Sequence, residues 1–176
     1  MRHIAFVLLC AVAVATVVAD DALLWSHYGP ELKLASVDSK QHSAKFTGQV
    51  TISGELVFTF EGNGTEGDLL WAKLIPDPSE IGRLPQVIGG FYPAPLHDIW
   101  IRSPDRALVM AFGETKALYY SRGASRYVSR SVTVILKDYA SSVECDHRGY
   151  LATIVRIQDP LLQAQTFDSR NDLHGC

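Results

Sequence analysis

The chain has 176 residues, 47% of them hydrophobic and 20% charged, with a net charge of −3. That length suits one domain with a sizeable core, and the composition is not that of a disordered chain. The charge balance offers no basic excess for a phosphate backbone, so nucleic acid is not an expected partner.

Residues 1–19 have the layout of a secretory signal peptide. Arg2 precedes an apolar run from Ile4 to Ala19, and Val17 and Ala19 supply small residues before Asp20 and Asp21. The run is short for a bilayer span, and no later segment is long and apolar enough to cross one. The expected product is a periplasmic or secreted protein, one β-rich domain over residues 20–176. Loss of Cys10 with the leader leaves Cys145 and Cys176, which an oxidising compartment is expected to pair. Closing that loop stabilises by about 3–4 kcal/mol on the chain-entropy model.

In chain order, Pro30 to Leu34 carries a weak helical signal. From Phe46 to Phe60 the even positions are largely apolar and the odd ones largely polar, the period of a strand with one buried face. Ser53-Gly54 interrupts it as a tight turn or a bulge. Glu61 to Asp68 is a polar, glycine-rich loop. Its Glu61, Asn63, Thr65 and Asp68 offer oxygen donors as a weak calcium candidate, but Glu66 stands where an EF-hand loop requires glycine. Leu69 to Ile75 reads as a strand ended by Pro76. Pro76 to Pro95 is a proline-rich excursion of the kind that carries function, with a short helical signal at Ser79 to Leu84.

Asp98 to Arg102 and Ala107 to Phe112 read as strands flanking a turn at Ser103-Pro104-Asp105-Arg106. Further strands are predicted at Thr115–Ser121, Tyr127–Lys137 and Tyr150–Ile157, with Arg130 interrupting the apolar set of the second. A last helical signal lies at Pro160 to Gln165. No helical stripe is long enough to cover a sheet, so the sheet must bury its apolar face against itself. The expected fold is all-β, an antiparallel β-sandwich or small barrel of roughly eight strands with only short helical turns.

Enzymatic signals are absent. His97-Asp98 and Asp146-His147 are adjacent acid–base pairs, but no nucleophile motif, zinc motif or cofactor motif accompanies them. The richest segment is Tyr119 to Arg130, with three arginines, three tyrosines and no acid. Tyrosine and arginine dominate binding hot spots. Tyr120, Arg122, Ser125, Arg126, Tyr127 and Arg130 are therefore the expected partner-binding residues. Glu55, Glu61, Glu66, Asp68, Asp77 and Glu80 gather acidity in an earlier stretch, so the chain is electrically two-ended.

Gly123-Ala124-Ser125-Arg126-Tyr127 resembles the Ser-Gly-x-x-Tyr loop of bacterial periplasmic lysozyme inhibitors, with Arg122 in the serine's place and Tyr127 one position late. That resemblance implies a rigid loop filling an enzyme's cleft. The expected function is a non-enzymatic inhibitor or immunity protein, without cofactor, whose protein partner is an envelope-acting enzyme such as a peptidoglycan hydrolase or a secreted toxin. The alternative is a carrier holding a small apolar ligand among Trp71, Phe91, Tyr92 and Trp100. A cryptic hydrolase is the third.

Overall fold

The computed structural model describes residues 23–61, 69–90, 92–124, 127–144, 147–158 and 165–166. The elements are β1 (Leu24–Trp25), β2 (Leu32–Asp38), β3 (Ser43–Glu61), β4 (Leu69–Pro76), β5 (Val87–Gly89) and β6 (Ile99–Ile101), then helices α1 (Pro104–Phe112) and α2 (Glu114–Tyr119). A π-turn (Tyr120–Ala124) leads into β7 (Tyr127–Glu144), β8 (His147–Ile157) and β9 (Gln165–Thr166). The fold is all-β, with two sheets and two short helices among the described residues.

The larger sheet closes on itself. β3 pairs antiparallel with β4, β4 with β6, and β8 with β7, while β6 and β8 run parallel. The long β7 then returns to β3, from Ala44↔Ser141 to Thr59↔Tyr127. The ring is β3-β4-β6-β8-β7-β3, with α1 and α2 between its third and fourth strands in chain order. This strand order is that of the five-stranded Greek-key barrel of the OB type. β2 adds a hairpin to the first half of β3, β9 pairs with the start of β7, and β1 with β5 forms the small second sheet.

The alternation predicted for β3 holds. Phe46, Val50, Ile52, Leu56 and Phe58 are buried in one core with Leu74, Ile99, Val128, Val134, Leu136 and Ile154 from the other barrel strands. The interruption expected at Ser53-Gly54 is absent, because Gly54 sits in the ladder against both Pro76 and Val132. A Cβ there would lie 2.3 Å from the Ile75 carbonyl oxygen, so the glycine permits close strand approach. The bulge is at Gly48, where φ is +109° and the β3–β7 register shifts between Lys45 and Gln49.

Two predicted strands are helices. Ala107–Phe112 lies in α1, which buries Ala107, Leu108, Ala111 and Phe112, one face at helical spacing. Thr115–Ser121 falls in α2 and the start of the π-turn. A short apolar run does not separate strand from helix by period alone. Pro104, predicted to form a turn, occupies the first turn of α1, where its missing N–H costs nothing. The helical signal at Pro30 to Leu34 gives way to β2, and that at Ser79 to Leu84 survives as a 3-10 turn, Ile81–Arg83.

The excursion between β4 and β6 is fastened to the barrel by β7 and β8. Tyr139 Oη donates to the Pro85 carbonyl at 2.8 Å, and Tyr150 Oη donates to Ala94 O at 2.6 Å while accepting from Val87 N at 2.9 Å. Arg148 Nε donates to Tyr92 O at 2.8 Å. Arg83 secures the other side, bonding Glu31 at 2.6 Å, Glu80 at 2.7 Å and the Thr51 carbonyl at 2.8 Å. Burial pushes the Tyr139 and Tyr150 hydroxyls above their usual pKa and pulls the Arg148 guanidinium below its own.

Candidate interaction surface

The arginine- and tyrosine-rich segment divides into residues that anchor and residues that face outward. Arg130 is on the inward face of β7, opposite Leu56, and only 3% exposed. Its Nη1 donates to the Ala111 carbonyl in the last turn of α1. The last four carbonyls of a helix lack intrahelical donors and form the negative end of its dipole, so a guanidinium there satisfies both. The apolar set of β7 is interrupted for this reason.

Tyr120 is also buried, with its ring 5.2 Å from Phe112, which meets Phe58 of the barrel at 5.8 Å. Tyr127 is buried at the start of β7, opposite Thr59. Three of the six predicted partner-binding residues are thus spent on the chain's own packing. Arg122 is exposed in the π-turn. Ser125 and Arg126 lie outside the described residues.

Beside Arg122 the same turn of chain presents apolar area. Leu118 is 52% exposed and Tyr119 63% exposed, at the end of α2, and Val109 of α1 is exposed as well. The chain neighbours Leu118 and Tyr119 are more informative than isolated exposed apolar residues. Behind them, Ala117 and Tyr120 face the core. The Tyr119 and Tyr120 rings meet edge to face at 5.7 Å, so the exposed ring rests on the buried one. Val109 and Leu118 were missed in the sequence because both runs were taken for strands. The available signal was Pro104 followed by the Ala107–Ala111 spacing.

The remaining candidates are placed as follows. Trp71 and Trp100 lie on the outer face of the barrel, their rings 5.5 Å apart, with Trp71 38% exposed. Lys73 stacks 4.0 Å from the Trp100 ring centroid and pairs with Asp98 at 3.1 Å. Asp98 is thereby committed to Lys73. Tyr92 belongs to the excursion, at φ +53°, and Phe91 is outside the described residues. Glu61 ends β3; Asn63, Thr65 and Asp68 lie outside the described residues, as do Cys145, Cys176, Asp146 and most of Pro160–Gln165. Among the described residues, no group of three His, Cys, Asp or Glu side chains is placed to hold a metal, and no helix is long and apolar enough to cross a membrane.

No protein-family model, curated protein or solved structure matches the chain.

Proposed function

We propose that this chain is an exported, non-enzymatic binding protein, periplasmic or secreted, that inhibits an envelope-acting enzyme by docking the α2 end of its barrel into the enzyme's cleft. The observation that carries the reading is the Leu118–Tyr119–Arg122 knuckle, exposed on a turn whose reverse side is packed through Tyr120 against Phe112. Preorganised aromatic and arginine groups bind with little ordering cost. Glycan-cleaving enzymes carry a carboxylate pair in the active cleft, and an arginine can bind one of those carboxylates bidentately. The partner is therefore an enzyme with acidic catalytic residues, in the form of a peptidoglycan hydrolase or a secreted toxin.

The test compares wild type with a Leu118→Ala/Tyr119→Ala/Arg122→Ala variant. Each is used to capture partners from an envelope fraction, and the hydrolase activity of the captured enzyme is then titrated. Wild type is expected to retain an enzyme and inhibit it stoichiometrically, and the variant to lose both effects. Equal capture by the variant, or full enzyme activity at saturating wild type, overturns the proposal.

A further inference from the structure

A second site lies on another face of the barrel, where the two longest strands bend. The β3–β7 register shifts between Lys45 and Gln49, and the β7–β8 register shifts between Lys137 and Ala140, with Asp138 at φ +52°. Facing bulges coil a sheet and hollow its surface. The result is an open cleft of about 520 Å³ whose floor includes Ala140 and Leu151. These residues are in register: Lys45 pairs with Ala140, Ala140 with Leu151, and Leu151 with Trp100. Arg102, two positions beyond Trp100, is held by its backbone N–H to Ala152 O at 2.9 Å.

The walls are cationic and polar. Lys45 and Arg102 are both exposed and both line the cleft, with Gln41 and Ser142 beside them and no acidic residue among the described residues of the lining. Neither cation forms an ion pair or side-chain hydrogen bond with a described residue. The acid on the adjoining strand, Asp38, accepts instead from the Lys40 and Gln41 amides at 3.0 and 3.2 Å. Two cations at one concavity, without an ion-pair partner among the described residues, raise the local concentration of anions. An arginine fork and an ammonium suit an oxyanion, and the small apolar floor suits a short hydrocarbon body.

We infer that this cleft binds an anionic ligand consisting of a phosphate or carboxylate headgroup on a short apolar chain, with Lys45 and Arg102 holding the oxyanion and Ala140 and Leu151 receiving the chain. The site is separate from the α2 knuckle, so either assignment stands or falls alone.

The test uses hexyl phosphate, hexanoate, inorganic phosphate and 1-hexanol, titrated into the full chain while the Ala140 and Leu151 amide resonances are followed. At least one hexyl anion is expected to saturate, with inorganic phosphate about tenfold weaker and hexanol without saturation. Comparison of the phosphate with the carboxylate identifies the preferred headgroup. Lys45→Gln and Arg102→Gln are each expected to weaken binding by about tenfold while the other amide resonances stay in place. Three results overturn the inference: neither hexyl anion saturates, the double variant binds as tightly as wild type, or inorganic phosphate binds as well as its hexyl ester.

Discussion

Arg130 and Arg122 stand eight positions apart in one basic segment, and their surroundings give them opposite roles. Arg130 is enclosed and bonded to the end of α1, whereas Arg122 is in solvent. Removing one partner of a buried charged hydrogen bond costs about 2–3 kcal/mol, while an exposed substitution stays within about 0.5 kcal/mol. Arg130→Ala is therefore expected to lower stability by that larger amount, and Arg122→Ala to leave it unchanged. Chemical denaturation of both variants checks this, and equal effects would contradict the placement. Residue types were legible here; their environments were not. Arg130 interrupts an apolar series and reads from the sequence as a partner-binding residue, because the helix carbonyl that justifies its burial comes from a segment with the composition of a strand.

β3 shows what a single element yields from its residues. Its alternation was readable because every even side chain faces one core, whatever strands lie beside it. Its continuity was not, since Ser53-Gly54 has the composition of a turn and only the proximity of Ile75 explains the glycine. Gly48 makes this testable. It combines positive φ with an approach that would put a Cβ 2.0 Å from the Glu31 carbonyl oxygen, whereas nothing lies within 4 Å of a Cβ at Gly82. Gly48→Ala is expected to destabilise by more than about 1 kcal/mol, and Gly82→Ala to be neutral or slightly stabilising. Thermal melts of the pair decide it; a harmless Gly48→Ala would remove the argument for the bulge. α1 and α2 were misread for the opposite reason. Each is too short to display its period, and the buried face becomes recognisable only against the end of the barrel.

At the scale of the whole molecule, the proline-rich excursion is part of the core, with Leu84, Val87 and Leu96 buried. Its attachment through Tyr139 and Tyr150 couples stability to alkaline pH. Both hydroxyls hold their protons more tightly in the folded chain, because burial penalises the phenolate. Their contribution is complete below the ordinary tyrosine range and is lost as pH rises through it toward the elevated native values. Guanidinium midpoints measured from about pH 8 to 11 are expected to fall on the alkaline side, and to fall less in Tyr139→Phe. Parallel curves would exclude Tyr139 as a source of the dependence. The choice between sandwich and barrel was open in the sequence because it depends on which strands meet, and the β3–β7 pairing joins segments far apart in the chain.

That same pairing bears on how the fold is reached. β3 has its hairpin partners, β2 and β4, close at hand, but one whole edge stays bare until β7 arrives from beyond both helices. The parallel β6–β8 contact waits longer still, since β8 is the last strand of the ring. Most of the chain must be present before any arc of the barrel can close, which places folding in the slow regime of domains ruled by long-range contacts. During that interval the open edge of β3 is a template for another chain's strand. Crowded refolding therefore favours intermolecular pairing at this edge, and dilution favours the monomer.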